Sequence, residues 1–217
     1  MPAIFPKWTN RLPLMIVIGV MLVGGGVTAG VWYYFTPKYT RVGYQPVQPV
    51  PFYHSVHVDQ LGLDCRYCHN AVEKSWYSNI PAANLCMNCH SQVLKDDPRL
   101  ALVRESAATG KPIPWIQVHK LPEFVYYNHA VHVNRGISCY ECHGQINKMD
   151  EVHHAQPLSM TFCLNCHRDP AAKLRPPDKI TDLNWRPASP EAQRAMGEKF
   201  MHDWKVQSLQ SCSACHR

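Results

Sequence analysis

Residues 52–69 read FYHSVHVDQLGLDCRYCH and residues 127–143 read YNHAVHVNRGISCYECH. The two stretches align with a one-residue gap, and each carries an aromatic-x-His-x-x-His element followed by C-x-x-C-H. Each then runs past a proline to a second C-x-x-C-H, in PAANLCMNCH (81–90) and PLSMTFCLNCH (157–167). The offset between copies stays near 75 residues (54 to 129, 65 to 139, 86 to 163), the mark of a duplicated unit. A fifth C-x-x-C-H spans Cys212 to His216.

All ten cysteines fall in this one pattern: Cys65/Cys68, Cys86/Cys89, Cys139/Cys142, Cys163/Cys166 and Cys212/Cys215, followed by His69, His90, His143, His167 and His216. C-x-x-C-H is the attachment signature of a c-type haem. Two thiols on one short turn form thioethers to the porphyrin edge, and the adjacent imidazole supplies the proximal iron ligand. Three other readings compete. A disulfide framework has no reason to set a histidine after every second cysteine. Structural zinc takes C-x-x-C units in pairs, and five units do not pair off. Thioredoxin-like motifs come singly within a βαβ pattern, which is absent here. The pattern therefore implies five covalently bound haems c.

Low-spin electron-transfer haem needs a second strong axial ligand. His54 and His57 are placed to cap the two irons of the first module, and His129 and His132 those of the second; the i, i+3 spacing fits one helical turn. One iron is then left, with His119, His153, His154, His202, Met149, Met160 and Met201 unassigned. His202 lies ten residues before Cys212, the separation of His129 from Cys139, and Met160 stands three before Cys163. A His/Met pair would raise the potential relative to bis-His.

From Leu12 to Phe35 there are 24 residues without a charge, LPLMIVIGVMLVGGGVTAGVWYYF. At about 1.5 Å per residue this spans a bilayer core of about 30 Å, and Trp32 to Phe35 close it with an interfacial aromatic belt. A cleaved leader with a processing site at Val27-Thr28-Ala29 is the competing reading, but the apolar run continues past that site. Lys7 and Arg11 before the span balance Lys38 and Arg41 after it, so charge does not orient it. The chemistry does, because c-type haem is attached on the oxidising side of the bacterial membrane. The haem-bearing part is expected on the periplasmic or outer side, with a short cytoplasmic amino terminus.

The net charge of +6 comes with no basic run, and the roughly ten propionates of five haems offset it, so a nucleic-acid partner is excluded. Mean hydropathy of −0.29 excludes a polytopic membrane protein. Eighteen prolines against eleven glycines argue against long helices and wide sheets. The fold expected is a multihaem cytochrome c organised by its haems: mostly irregular, with short α-helices, little β and one amino-terminal transmembrane helix. Its divisions are a cytoplasmic terminus (1–11), the anchor (12–35), a linker (36–51), dihaem module 1 with a trailing helix (52–110), dihaem module 2 (111–170) and a segment with the fifth haem (171–217). Asp97-Pro98 opens the trailing helix and Gly110 ends it; Ser189-Pro190-Glu191 opens another towards Trp204.

The aromatic-x-His-x-x-His…CxxCH…CxxCH module resembles the class III multihaem cytochromes, including the cytochrome c7 group. With the anchor, the five sites, IPWIQVHKLPEFVYYNHAVH (113–132) and PLSMTFCLNCHRDP (157–170), the whole chain resembles the membrane-anchored pentahaem (ActA) subunits of bacterial alternative complex III. That resemblance implies a non-catalytic electron wire in a quinol-oxidising respiratory or photosynthetic complex. It passes electrons towards a periplasmic cytochrome, a copper protein or a terminal oxidase. The implied partners are a molybdopterin-oxidoreductase-like iron–sulfur subunit, polytopic quinol-binding subunits and a monohaem cytochrome c or soluble acceptor. It also implies one His/Met haem, which puts His119 and Met160 ahead of His202 and His154 as the fifth distal ligand.

Two other functions fit parts of the pattern. A haem reductase of nitrogen or sulfur oxyanions needs an open iron, and eight non-proximal histidines for five irons force no vacancy. An anchored multihaem quinol dehydrogenase would take electrons from the membrane pool by itself.

Overall fold

A computed structural model describes residues 4–35 and 40–216. Residues 36–39, Lys38 among them, which begin the expected linker, lie outside the described residues. The chain divides into two units, Met1–Val42 and Gly43–Arg217.

In the first unit a 3-10 turn, Lys7–Arg11, leads into helix α1, Leu12–Phe35. The helix carries no acid and no base and buries none of its residues. A segment apolar on all sides with nothing packed against it is built for a non-aqueous surrounding. Lys7–Phe35 is long and apolar enough to cross a membrane, with a mean hydropathy of 2.2, though a signal sequence meets the same test.

The second unit holds eight short α-helices and no strand among the described residues. Its β-structure amounts to two isolated bridges, Val125 to His216 and Ile137 to Leu174. Each C-x-x-C-H sits on its own helix: α2 (Cys65–Cys68), α3 (Ala83–His90), α6 (Cys139–His143), α7 (Met160–Arg168) and α9 (Cys212–Cys215). Side-chain caps start three of them. The Asp64 carboxylate accepts the Arg66 N–H, the Ser138 hydroxyl that of Tyr140, and the Ser159 hydroxyl that of Phe162. One helical turn puts both cysteines of a motif on the same face.

Between the motifs lie α4 (Ala101–Thr109), α5 (His129–Val133) and α8 (Pro190–Asp203). A 3-10 turn, Pro98–Leu100, capped by Asp97, precedes α4, and Gly110 at φ +73° ends it. Ser189 caps α8, which stops at Trp204. This helix lies so close to the Pro170–Ala172 turn that a Cβ on Gly197 would come 1.9 Å from the Ala171 carbonyl oxygen.

The aliphatic core is thin. Val50, Ala83, Val103 and Ile113 form one small cluster; Ala171, Leu174, Ile180 and Leu183 are the remaining aliphatics buried towards the carboxyl-terminal third. A unit of this length ordinarily buries far more.

Candidate haem sites

The ten thiols form no disulfide, and among the described residues no group of three or more His, Cys, Asp or Glu gathers as it would for a bare ion. The imidazoles are arranged differently. In six of them Nδ1 lies against a backbone carbonyl: His57 on Tyr53 (2.8 Å), His69 on Asn79 (2.7 Å), His90 on Val93 (3.0 Å), His129 on Trp76 (2.8 Å), His132 on Asn128 (2.8 Å) and His216 on Phe124 (3.1 Å). A carbonyl oxygen only accepts, so Nδ1 carries the proton and Nε2 presents its lone pair. This is the outer support that iron-ligating histidines receive. Three of the six are proximal histidines and three come from the His-x-x-His elements.

The two His-x-x-His elements share their ring packing, the first on a π-helical turn, Ser55–Gln60, and the second on α5. Phe52 stacks on His57 (4.4 Å) and meets His54 edge-on (4.9 Å); Tyr127 stacks on His132 (4.6 Å) and meets His129 edge-on (4.8 Å). The second histidine of each element faces the second proximal histidine of its own module, His57 to His90 at 6.2 Å and His132 to His167 at 6.1 Å between ring centres. Two metal–imidazole bonds of about 2 Å each, plus the two ring half-widths, come to about 6 Å. Both pairs thus have the span that an iron between them requires. Burial pushes the His54 imidazole down to about 4, with the nearby His69 and His57 adding to the effect, and lowers His129 and His132 as well. The neutral, ligating form is the one the fold favours.

The first motifs of the two modules meet at the centre. The Cys65 and Cys139 side chains, which occupy equivalent positions, lie next to each other. Around them the modules exchange matching bonds. The Ser55 N–H, one residue past His54, donates to the Met149 carbonyl (3.2 Å), and the Ala130 N–H, one past His129, donates to that of Ser75 (3.1 Å). The Asn147 side-chain amide donates to Asp59 (3.0 Å), and at the corresponding contact Asn134, which matches Asp59, donates its amide to the carbonyl of Glu73, which matches Asn147 (2.9 Å). Reciprocal bonds between equivalent positions are the signature of a local two-fold relation.

His143 lies deep in this centre, and burial beside His119, His129, His69 and His154 holds it well below the ordinary histidine range. His119 meets it at 4.4 Å and stacks at 5.2 Å on His154, which is 1% exposed. The candidates for the fifth distal ligand are therefore dispersed. His119 and His154 gather at the third motif. The His202 side chain is 91% exposed and bonds Asp203 (3.2 Å), and Met160 is 68% exposed on the first residue of α7. His216 itself rests on Phe124, with ring centres 5.7 Å apart.

One supporting cluster gives no sign in the sequence. Arg175, 4% exposed, pairs with Glu141 inside the third motif (3.1 Å) and lies over the Tyr140 and Trp185 rings. Lys173 holds the other Glu141 oxygen at 2.8 Å.

Comparison with known proteins bears on these sites directly. Residues 125–217, which hold the third, fourth and fifth motifs, match the family model described as cytochrome c7 and related cytochrome c. Over 178 residues the chain is 29% identical to the menaquinone reductase, multiheme cytochrome c subunit, of Nitratidesulfovibrio vulgaris (strain Hildenborough), covering 80% of this chain and 78% of that one. Together with the C-x-x-C-H helices and their tethered imidazoles, these likenesses support a multihaem cytochrome c character for the chain.

Proposed function

We propose that this chain is the membrane-anchored electron-transfer subunit of a quinol:acceptor oxidoreductase of the alternative complex III kind, with five haems c. The observation that carries this is the pair of imidazole sandwiches, His57/His90 and His132/His167, each of iron-spanning width and each anchored by a C-x-x-C-H helix. Where two of these imidazoles would hold a haem c, as proposed for the four haems of the two modules, the group would supply one-electron transfer. The chain's part is to fix the imidazole tautomers through backbone carbonyls, to keep those rings neutral by burial, and to hold successive motifs against one another. His54 and His129 are assigned as the remaining distal ligands of the two modules.

Helix α1 serves as the anchor, and the haem-bearing unit stands on the outer, periplasmic side, where thioether attachment takes place. Quinol chemistry is assigned to polytopic partners beside an iron–sulfur subunit, and the downstream acceptor is a periplasmic cytochrome, a copper protein or a terminal oxidase, as the resemblance to the pentahaem subunits implies. The relative is a menaquinone reductase subunit by name. That favours a second reading, in which the same relay carries electrons towards menaquinone rather than away from quinol. A row of haems conducts both ways, and the potentials of the partners set the direction.

Gentle-detergent purification through a tag on this chain decides between them. The expected result is five haems per chain, co-purifying iron–sulfur and polytopic subunits, and quinol-to-cytochrome turnover exceeding quinone reduction. Dominant quinone reduction would establish the second reading, and a lone pentahaem chain that oxidises quinol unaided would replace both.

A further inference from the structure

The five motifs are not arranged in space as they are in sequence. Tyr67 of the first motif accepts a hydrogen bond from Asn88 of the second (3.3 Å). The segments around the first motif also meet those around the third, through the reciprocal bonds between Ser55 and Met149 (3.2 Å) and between Ala130 and Ser75 (3.1 Å), which bring Cys65 and Cys139 side by side. The third motif is followed by the fourth within its own module. Tyr127 stacks on His132, which faces His167 of the fourth motif, while its edge meets His129 beside the third. The fifth motif docks next to the fourth. Ser208, just before it, donates to the His167 carbonyl, and the Tyr126 N–H donates to the Cys215 carbonyl (2.9 Å) beside Tyr127.

Exposure agrees independently. Of the ten cysteines only Cys89, in the second motif, and Cys212, in the fifth, are exposed; those of the first, third and fourth motifs are all partly covered. Motifs in the interior of a row have neighbours on two sides, and those at its ends have one.

We propose that the haem row runs second–first–third–fourth–fifth, so that electrons enter and leave at the second and fifth motifs and the first motif is an interior link. The proposal rests on the five-haem reading above. Each hop oxidises one ferrous iron and reduces its ferric neighbour by a single electron, with no bond made or broken. The junction between first and third motifs is then the one passage between the two modules, and the local two-fold relation makes that junction symmetric. Redox partners meet the chain near Cys89 with the exposed Val93 and Leu94, and near Cys212 with Leu209, Phe124 and Tyr126.

The direct test is a density map of the haem-loaded full chain in its complex, read for iron positions. The expected result is that the first iron has the second and third as its nearest neighbours. A map in which the second iron is the nearest neighbour of the third, with the first at an end, overturns the order. A kinetic test uses Cys65→Ala/Cys68→Ala, which removes the first haem. Flash reduction should then show loss of fast equilibration for one haem in four, the stranded second one. Equally fast equilibration of all four overturns the proposal, and if the variant does not mature the map decides. Haem content by intact mass separates the two failures: a count other than five sinks the underlying reading, whereas five in another order sinks only the row.

Discussion

His57 and His132 each combine a Tyr53 or Asn128 carbonyl on Nδ1, a stacked aromatic ring, and a facing proximal imidazole at 6.2 or 6.1 Å. The carbonyl comes from four residues earlier in the chain in both cases, so the turn that presents the ring also sets its tautomer. Replacing either with alanine should leave the haem count unchanged and open one iron. The expected signature is one further equivalent of carbon monoxide bound per chain and an added high-spin ferric signal, relative to the unaltered protein. His57→Met should instead keep the iron six-coordinate and raise the potential of one haem, read in a redox titration. A separate residue-scale test concerns the start of α2. The Arg66 side chain, hydrogen-bonded to Asp64, holds that carboxyl down at about 2 against an ordinary value of 3.8. A carboxyl lowered in the folded state contributes stability above its unfolded pKa and loses it as pH falls through the folded value. The contribution of this cap is therefore whole above about pH 4 and fades towards pH 2. Because Asp64 and Arg66 are both more than two-fifths exposed, it stays below about 1 kcal/mol. Asp64→Asn should flatten the acid limb of the unfolding curve in that window and leave neutral pH nearly untouched.

At the scale of elements, the short helices owe little to propensity and much to what they touch. Helix α8 is fixed by a contact that only a glycine allows. Gly197→Ala drives a methyl into the Ala171 carbonyl and should cost about 1–3 kcal/mol in denaturant unfolding, unless α8 shifts away. Helix α6 is clamped from outside by the Arg175–Glu141 pair. Glu141→Ala strands an arginine whose side chain is 5% exposed, and about 3 kcal/mol of destabilisation is expected. The same change should loosen the third motif's environment, read as a shift in one haem's spectrum. The sequence announced the helices that carry their own signals: Asp97-Pro98 to Gly110, Ser189-Pro190 to Trp204, and the unbroken apolar run of α1. It also announced the second histidines of the two His-x-x-His elements, because duplication repeats them at fixed distance from a motif. It did not announce the company of His119 and His154. Their place beside His143 depends on long-range packing, so counting residues back from the fifth motif had no bearing on it. His202 shows the same point from the other side. It stands ten residues before Cys212, yet the direction in which α8 presents it leaves the ring in solvent beside Asp203.

For the whole molecule the question is what replaces the missing aliphatic core. Only a few small clusters of buried aliphatics are present, and the two modules interlock through reciprocal bonds made by the loops that follow His69 and His143. The docking sites for one module are thus loops of the other. Glu73 and Ser75 receive Asn134 and Ala130, while Met149 and Asn147 reach Ser55 and Asp59. The paired positions are visible in the aligned copies once the two-fold relation is known, since Asp59 matches Asn134 and Glu73 matches Asn147 in their distance from each module's histidines. Alignment alone does not say that equivalent positions meet. The interlock predicts that neither module is an independent folding unit. A chain cut to residues 43–110 keeps both motifs of the first module and Val50, Ala83 and Val103 of the small aliphatic cluster, yet loses Ile113, the Met149 and Asn147 partners of Ser55 and Asp59, and the Cys139 side of the central junction. Expressed with the haem-attachment machinery, it should incorporate fewer than two haems per chain and be cut rapidly by protease, while residues 43–217 should load fully and resist. Full loading and resistance of the short chain would mean that each dihaem module is self-sufficient and the interlock merely joins two finished units.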